Sequence, residues 1–164
     1  MQMVKEGKRG LDVSRVRSLA RSEARKQYGG PNSMKQCYKD AGAAAWWVDG
    51  YGHGGIFVGV WDHEKTSLVL RKETAWNSWR SISKCFFDGR DHDNGLVLTL
   101  YVYEEDCEWS KFILDNPGTC KALASIWRPN AKKETPEKFN KFVEDLPSLA
   151  QKTFDRWYGD KKTA

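Results

Sequence analysis

The chain has 164 residues, 40% of them hydrophobic and 30% charged, with a net charge of +5, a composition typical of one folded domain. No stretch approaches the roughly 20 apolar residues of a membrane-spanning helix, and the N-terminal residues lack the apolar centre of a secretory signal, so we expect a cytoplasmic protein. The four cysteines have neither C-x-x-C spacing nor the density of a disulfide scaffold, which also favours a reducing compartment.

The N-terminal region predicts a basic arm followed by a basic helix. Residues 1–10 are predicted to form a flexible arm. A helix capped by Asp12 or Ser14 is predicted to run to about Tyr28, where Gly29-Gly30-Pro31 ends it. One face of this helix carries arginines at a spacing of four residues: Arg17, Arg21 and Arg25. Such a row suits contact with nucleic-acid phosphates, and the alternative is an ordinary solvated helix face.

The middle of the chain predicts strands. The segments 43–50 (AAAWWVDG) and 54–62 (GGIFVGVWD) are apolar and flank a glycine-rich joint, which predicts a hairpin. The segment 66–73 (TSLVLRKE) predicts a third strand. The segment 96–103 (LVLTLYVY) is apolar nearly throughout and predicts a central strand.

Helices are predicted after the third strand, after the central strand and in the C-terminal third. Apolar residues at helical spacing indicate the first two, over 74–87 and 107–118. Thr135-Pro136 opens the C-terminal helical region, and Pro147 is expected to break it into two helices. A polar loop is predicted at 88–95.

The charge is unevenly distributed along the chain. Residues 1–39 carry ten Lys/Arg against three Asp/Glu, residues 40–110 carry six against twelve, and residues 111–164 carry eleven against seven. Basic ends favour contact with a polyanion, although charge kept for solubility gives a milder version of this pattern. The eight tryptophans suit both a core and a binding surface, because an indole combines a large apolar area with one polar donor.

The most unusual stretch is YEEDCEW, residues 103–109, in which four carboxylates surround Cys107. One interpretation is a strand-to-helix junction whose acidic residues face the positive end of the helix dipole. The other is a thiol site in which Cys107 is the nucleophile and His53, held between glycines in the hairpin loop, is the base. The carboxylates oppose this second interpretation, since like charge disfavours a thiolate.

The same carboxylates raise the question of a metal. Hard oxygen ligands suit magnesium or manganese, and the cluster offers four of them: Glu104, Glu105, Asp106 and Glu108. A metal site would be favoured further if Asp88, Asp91 or Asp93 lay nearby. However, no EF-hand, H-E-x-x-H or P-loop pattern is present in the sequence, so we predict neither a metal nor a cofactor. The remaining histidines, His63 and His92, lie beside aspartates and are predicted to be exposed turn residues.

Two motifs together resemble a known family. The first is DGYGHGGIFV, centred on His53-Gly54-Gly55, and the second is the aromatic-E-E-D-C-acidic-W segment, which contains Glu104, Glu105, Asp106 and Trp109. In combination, over residues 46–115, they resemble small uncharacterised domains found in phage and plasmid genomes. The resemblance implies a viral or mobile-element protein that works inside a bacterial cell, and it implies no activity for any residue.

The sequence therefore predicts one α+β domain over residues 11–160, with one mainly antiparallel sheet of about four strands packed by N- and C-terminal helices. We expect a phage or mobile-element accessory protein that binds a host protein or protein–nucleic-acid complex, either for host takeover or to inhibit a defence. The alternatives are a thiol hydrolase or transferase that uses Cys107 and His53, and a nucleic-acid-binding protein that uses the basic helix. No membrane partner is expected, and the sequence leaves the oligomeric state open.

Overall fold

The structure is a computed structural model that describes residues 13–30, 32–71, 84–87 and 97–159. Five strands of this described part form one antiparallel sheet in the spatial order β1-β2-β3-β5-β4. The strands are β1 (Ser33–Lys39), β2 (Ala43–Asp49), β3 (Gly54–Val60), β4 (Lys84–Phe87) and β5 (Val97–Glu104). The helices are α1 (Val13–Tyr28), α2 (Trp109–Asp115), α3 (Cys120–Trp127), α4 (Ala131–Glu134) and α5 (Pro136–Tyr158), with a 3₁₀ turn at Pro117–Thr119.

The predicted α+β class, with an antiparallel sheet flanked by helices from both ends of the chain, is confirmed. The predicted hairpin is β2–β3, and β5 pairs with the other edge of β3, so that β3 is buried on both faces. Successive side chains of a strand point to opposite faces. Ile56, Val58 and Val60 therefore face one side of the sheet, and Phe57 faces the other.

Helix α1 covers one face of the sheet. Its buried apolar residues recur every four positions, which places them along one stripe: Val16, Ala20 and Ala24. They pack on small and aromatic side chains of the sheet, among them Ala44, Trp46 and Phe57. The helix ends at Tyr28 as predicted, because Gly29 follows with a left-handed backbone (φ +74°) that glycine adopts without strain.

Helices α2, α3 and α5 cover the opposite face of the sheet. Their buried apolar residues, such as Ile113, Leu123 and Leu146, pack on Ile56 and Tyr103 of the strands. The prediction that Pro147 ends a helix is wrong, because α5 runs without interruption through it. Proline removes one helix hydrogen bond. The burial of Leu146 and Ala150 on either side of Pro147 holds the two halves of α5 against the core.

The third predicted strand, 66–73, is wrong over its described residues 66–71, which form no strand. The segment finds side-chain partners instead of a neighbouring strand. The side-chain oxygen Oδ1 of Asn116 accepts a hydrogen bond from the N–H of Val69 at 2.8 Å, and its Nδ2 donates to the carbonyl of Val69 at 2.8 Å. The N–H of Arg71 donates to the hydroxyl of Tyr103 at 3.1 Å. These bonds satisfy the backbone as a strand ladder would.

The helix predicted over 74–87 is wrong at its end, because Lys84–Phe87 is strand β4 and pairs with β5. The rest of that predicted helix, the loop predicted at 88–95 and the arm at 1–10 lie outside the described residues. The sheet also includes β1, which was not predicted. Among the residues of β1 only Cys37 is buried, so the strand lies at an edge and lacks the apolar pattern that marks the inner strands.

Candidate functional site

The two sequence motifs pair with each other across the sheet. Gly55 of β3 lies opposite Glu104 of β5, and the N–H of Glu105 donates to the carbonyl of Gly54 at 3.1 Å. A Cβ on Gly55 would lie 2.5 Å from the carbonyl oxygen of Tyr103, which is too close for any other residue. The glycines of the first motif therefore allow the second motif to approach.

Cys107 lies in the turn between β5 and α2 with 1% of its surface exposed. The hydroxyl of Tyr158, at the end of α5, donates a hydrogen bond to its sulfur at 3.3 Å. Burial raises the pKa of the Cys107 thiol, and the charges of Glu104 and Glu108 raise it further. These surroundings favour a protonated, structural thiol over a thiolate nucleophile.

His53 lies on the exposed hairpin loop, where its ring stacks on Tyr28 at a centroid distance of 6.0 Å. A positive charge on the His53 ring would lower the pKa of Glu105, against the burial that raises it. Within the described parts of the chain, no hydrogen bond or ring contact joins His53 to Cys107. The structure thus brings His53 to Glu105 and Cys107 to Tyr158, and the proposed thiol pair stays a prediction.

The acidic turn between β5 and α2 does not form the helix cap that the sequence predicted. The strand-to-helix junction is confirmed, but α2 begins at Trp109 and has no acidic residue in its first turn. Glu108 makes no cap hydrogen bond to the helix. Its carboxylate accepts instead from the N–H of Glu104 at 3.4 Å, which ties the turn back to β5. Glu108 therefore ties the turn to β5 and makes no cap hydrogen bond to the helix.

A lysine lies buried beside this turn. Lys111 is 2% exposed, and its ammonium lies 3.9 Å from the centre of the Tyr158 ring. Its Nζ has no hydrogen-bond partner among the described residues. Burial lowers the pKa of Lys111 to about 8, although the negative charge of Glu108 opposes this shift. The side chain therefore changes charge close to neutral pH.

The three predicted arginines lie along one flank of α1. Arg21 and Arg25 are exposed and Arg17 is half-buried, each one position after a buried residue of the helix stripe. His63 is exposed in a turn as predicted, and its Nε2 lies 3.0 Å from the hydroxyl of Tyr101. His92 lies outside the described residues.

A pocket of about 370 Å³ lies on the face of the sheet that α2, α3 and α5 cover. We call it the aromatic pocket, and its lining residues come from β2, the acidic turn, α2, α3 and α5: Trp47, Glu105, Asp106, Trp109, Trp127, Phe142, Leu146 and Leu149. The Trp127 ring lies 5.3 Å from Trp47 and 5.8 Å from Trp109 between ring centres, at interplanar angles of 82° and 84°. In each of these edge-to-face pairs the edge of one indole contacts the face of its neighbour, and all three indoles form part of the pocket wall.

The charged part of the pocket lining is acidic. Glu105 is half-buried and Asp106 is exposed. Burial raises the pKa of Glu105, and the charge of Asp106 raises it further, because two carboxylates lie close together. The guanidinium carbon of Arg128 lies 3.9 Å from the centre of the Phe142 ring, so one aromatic wall already attracts a cation of the chain itself.

The sequence indicated part of this pocket. Glu105, Asp106 and Trp109 were candidate residues from the second motif, whereas Trp47 and Trp127 were not singled out. Trp47 follows Trp46 in an apolar strand, and Trp127 ends a short helix, so neither position differs in pattern from a core tryptophan. The number of tryptophans was the signal available for a binding surface.

In the described part of the chain, no group of three or more His, Cys, Asp or Glu side chains is arranged to hold a metal ion. Asp88, Asp91 and Asp93 lie outside the described ranges. No helix among the residues that the structure describes is both long and apolar enough to cross a membrane. No family model matches the chain, and no curated protein or solved structure is significantly similar to it.

Proposed function

We propose that this chain is a binding protein whose aromatic pocket takes a positively charged group of a macromolecular partner. The observation that carries the proposal is that three indoles, with Trp127 at nearly right angles to each of the other two, share a pocket lining with two carboxylates. A cation over an aromatic face gains about 0.5–2 kcal/mol, and tryptophan is the strongest such partner. A carboxylate nearby adds an electrostatic preference for a positively charged group.

The size of the pocket supports this proposal. A volume of about 370 Å³ lies at the small end of the range for ligand sites, so the pocket suits one side chain or small molecule. The stacking of Arg128 on Phe142 shows that this wall suits a cation. The acidic middle of the chain would then meet a basic partner surface around the bound group.

The setting we propose follows from the motif resemblance. The partner is a host protein or protein–nucleic-acid complex in a bacterial cytoplasm, and the chain is a phage or mobile-element accessory protein that blocks that partner. Host takeover or inhibition of a defence is the use we expect. The pocket gives this hypothesis a physical mechanism, namely capture of one basic side chain on the partner.

Titration with short peptides tests the proposal. A peptide rich in lysine and arginine is expected to bind, and an acidic peptide of equal length is not. The double variant Glu105→Gln, Asp106→Asn keeps the shape of the pocket and is expected to weaken binding about tenfold, because it removes both charges. The matched control, Glu137→Gln with Glu144→Gln, removes two exposed charges of α5 outside the pocket lining. Equal weakening by both double variants would contradict the proposal.

Nucleic-acid binding is a second candidate function, favoured by the exposure of Arg21 and Arg25 on one flank of α1. If both arginines contact phosphates, Arg21→Gln with Arg25→Gln would reduce the slope of log affinity against log salt by about 2. Neutralising two exposed lysines elsewhere, Lys121 and Lys152, serves as the control. A salt slope unchanged by the arginine variants would reject this candidate.

The thiol enzyme is the remaining alternative. The burial of Cys107 and the raised pKa of its thiol disfavour a nucleophile, so we rank this function below binding. The variant Cys107→Ala separates the two, since a binding protein that still folds keeps its affinity and a thiol enzyme loses its activity.

A further inference from the structure

We propose, resting on the proposed function above, that the aromatic pocket prefers an N-methylated ammonium group, such as a trimethylated lysine side chain, to a primary ammonium or a guanidinium. The inference concerns the chemistry of the occupant. It follows from how few hydrogen-bond acceptors line the pocket and from how the indoles are held.

The acceptors of the pocket are few. Among the lining residues, carboxylate oxygens come only from Glu105 and Asp106, and the other six side chains are aromatic or aliphatic. A primary ammonium has three N–H donors and is strongly hydrated, so a mostly apolar wall leaves donors unsatisfied when the water is removed. A guanidinium has five such donors. A quaternary ammonium has none, and its charge is spread over methyl groups that pack on rings.

The N–H group of the Trp47 indole already has a partner within the protein, so it is not free to donate to a ligand. The Nε1–H of Trp47 donates to Asp49 at 3.0 Å, and Asp49 is itself held by the hydroxyl of Ser33 at 3.0 Å. The hydrogen bond fixes the orientation of the Trp47 ring, and Trp127 packs edge-to-face against it. The Trp47 ring is thus preorganised as one wall for a rounded cation, which lowers the entropic cost of binding.

The edge of the pocket is also apolar. Leu149 lines it with 46% of its surface exposed. An exposed leucine gives a methylated cation additional apolar contact and offers nothing to an N–H donor. Glu105 and Asp106, which repel each other, gain from any positive charge placed beside them. The lining therefore combines a charge preference with a preference for methyl groups.

A panel of three small probes tests the inference: choline, ethanolamine and 3,3-dimethylbutan-1-ol. Choline carries charge and methyl groups, ethanolamine carries charge alone, and the alcohol carries the methyl shape alone. Binding is followed by NMR through the indole N–H signals at millimolar probe concentrations. We expect choline to bind about fivefold or more tightly than either of the others. Relative to the alcohol it gains about one cation–π contact of ordinary strength, and relative to ethanolamine it leaves no N–H donor unsatisfied.

The outcomes separate the two proposals. Ethanolamine binding as tightly as choline would overturn the inference and leave the proposed function standing. The uncharged alcohol binding as tightly as choline, or no probe binding at all, would contradict both. Trp127→Leu is expected to reduce choline affinity at least about threefold, whereas Trp157→Leu, at a 39% exposed tryptophan outside the lining, is the control. If Trp127→Leu does not fold, Glu105→Gln with Asp106→Asn replaces it, and unchanged choline affinity would then overturn the inference.

Discussion

The two faces of the sheet are covered in different ways. On one face, α1 presents a narrow stripe of small residues, which lets it lie close to the strands and leaves Ala20, Ala24 and Trp46 almost without exposure. On the other face, large rings from the strands and from α2 and α3 meet edge to face. The small residues close the first face, and the second face carries the aromatic pocket.

Two adjacent tryptophans of β2 show this difference most directly. Trp46 points to the α1 face and is 1% exposed, while Trp47 points to the other face, where it is half-buried and lines the aromatic pocket. The two residues have the same chemistry and neighbouring positions in one strand. The covering helices decide that one tryptophan is core and that the other lines a pocket.

The largest expected effect is the difference in stability between alanine variants of Trp46 and Trp47. Trp46→Ala is expected to lower the free energy of unfolding by about 3–5 kcal/mol, because it leaves a cavity in a closed layer. Trp47→Ala is expected to lower it less than half as much, since the ring is already partly exposed, and to abolish binding of cationic probes. Denaturant unfolding measures the first effect and NMR titration the second. Equal losses of stability would contradict the difference between the two faces.

The next effect concerns Asn116, which holds the segment 66–71 on the face that carries the pocket. Its side chain is bonded to both backbone groups of Val69, and Nδ2 also donates to the carbonyl of Phe112 at 3.1 Å. Asn116→Ala removes all three bonds and is expected to lower the free energy of unfolding by about 2–4 kcal/mol. The exposed Asn140 is the control, where Asn140→Ala is expected to change stability by less than about 0.5 kcal/mol. Similar losses at both positions would reject the anchoring role.

A third prediction concerns the charge of Lys111. Its folded pKa of about 8 lies below its ordinary value of 10.5, so between these values the unfolded chain binds more protons. The titration of Lys111 should therefore increase the free energy of unfolding as the pH rises from 8 to 10.5. We expect the wild type to gain about 1–3 kcal/mol relative to Lys111→Met over this range, at about 1.4 kcal/mol per pKa unit.

The comparison with Lys111→Met isolates the lysine, because the titrations of Cys107 and Tyr158 are present in both proteins. Denaturant unfolding at several pH values from 7 to 11 measures the difference between wild type and variant. A difference that stays constant with pH would show that Lys111 keeps an ordinary pKa, and with it that its ammonium is not desolvated.

The smallest expected effect is a change in the affinity of the aromatic pocket for cations when Arg128 is replaced. Arg128 stacks on Phe142 and places a positive charge against one pocket wall. Arg128→Gln removes this competing charge and is expected to tighten binding of a cationic probe about two- to threefold. The control is Lys133→Gln, which removes an exposed positive charge outside the pocket lining. Weaker binding after Arg128→Gln would mean that the guanidinium forms part of the site.

The sequence predicted those elements whose burial produces a regular pattern. The α1 stripe and strands β2, β3 and β5 were predicted because their apolar residues follow helical or strand periods. Strand β1 was missed because an edge strand exposes most of its side chains. Segment 66–71 was mistaken for a strand because its apolar residues are spaced like those of a strand, while its hydrogen bonds go to Asn116 and Tyr103.

The pocket was predictable only in part, for a related reason. Its acidic residues stood out as a cluster in sequence, but the indoles come from β2, α2 and α3 and meet only through tertiary packing. Whether a tryptophan is core or surface depends on the helices that cover it, which no local pattern encodes. Likewise, Cys107 and His53 stood out by residue type, and only the structure gave Cys107 the partner Tyr158.

The measurement that tests the central claim most directly is the set of intermolecular nuclear Overhauser effects between tetramethylammonium and the protein. The account predicts contacts from the methyl protons to the indole protons of Trp47, Trp109 and Trp127, the three tryptophans that line the pocket. Contacts confined to other tryptophans, such as Trp61 or Trp157, or none at all, would contradict cation binding in the aromatic pocket.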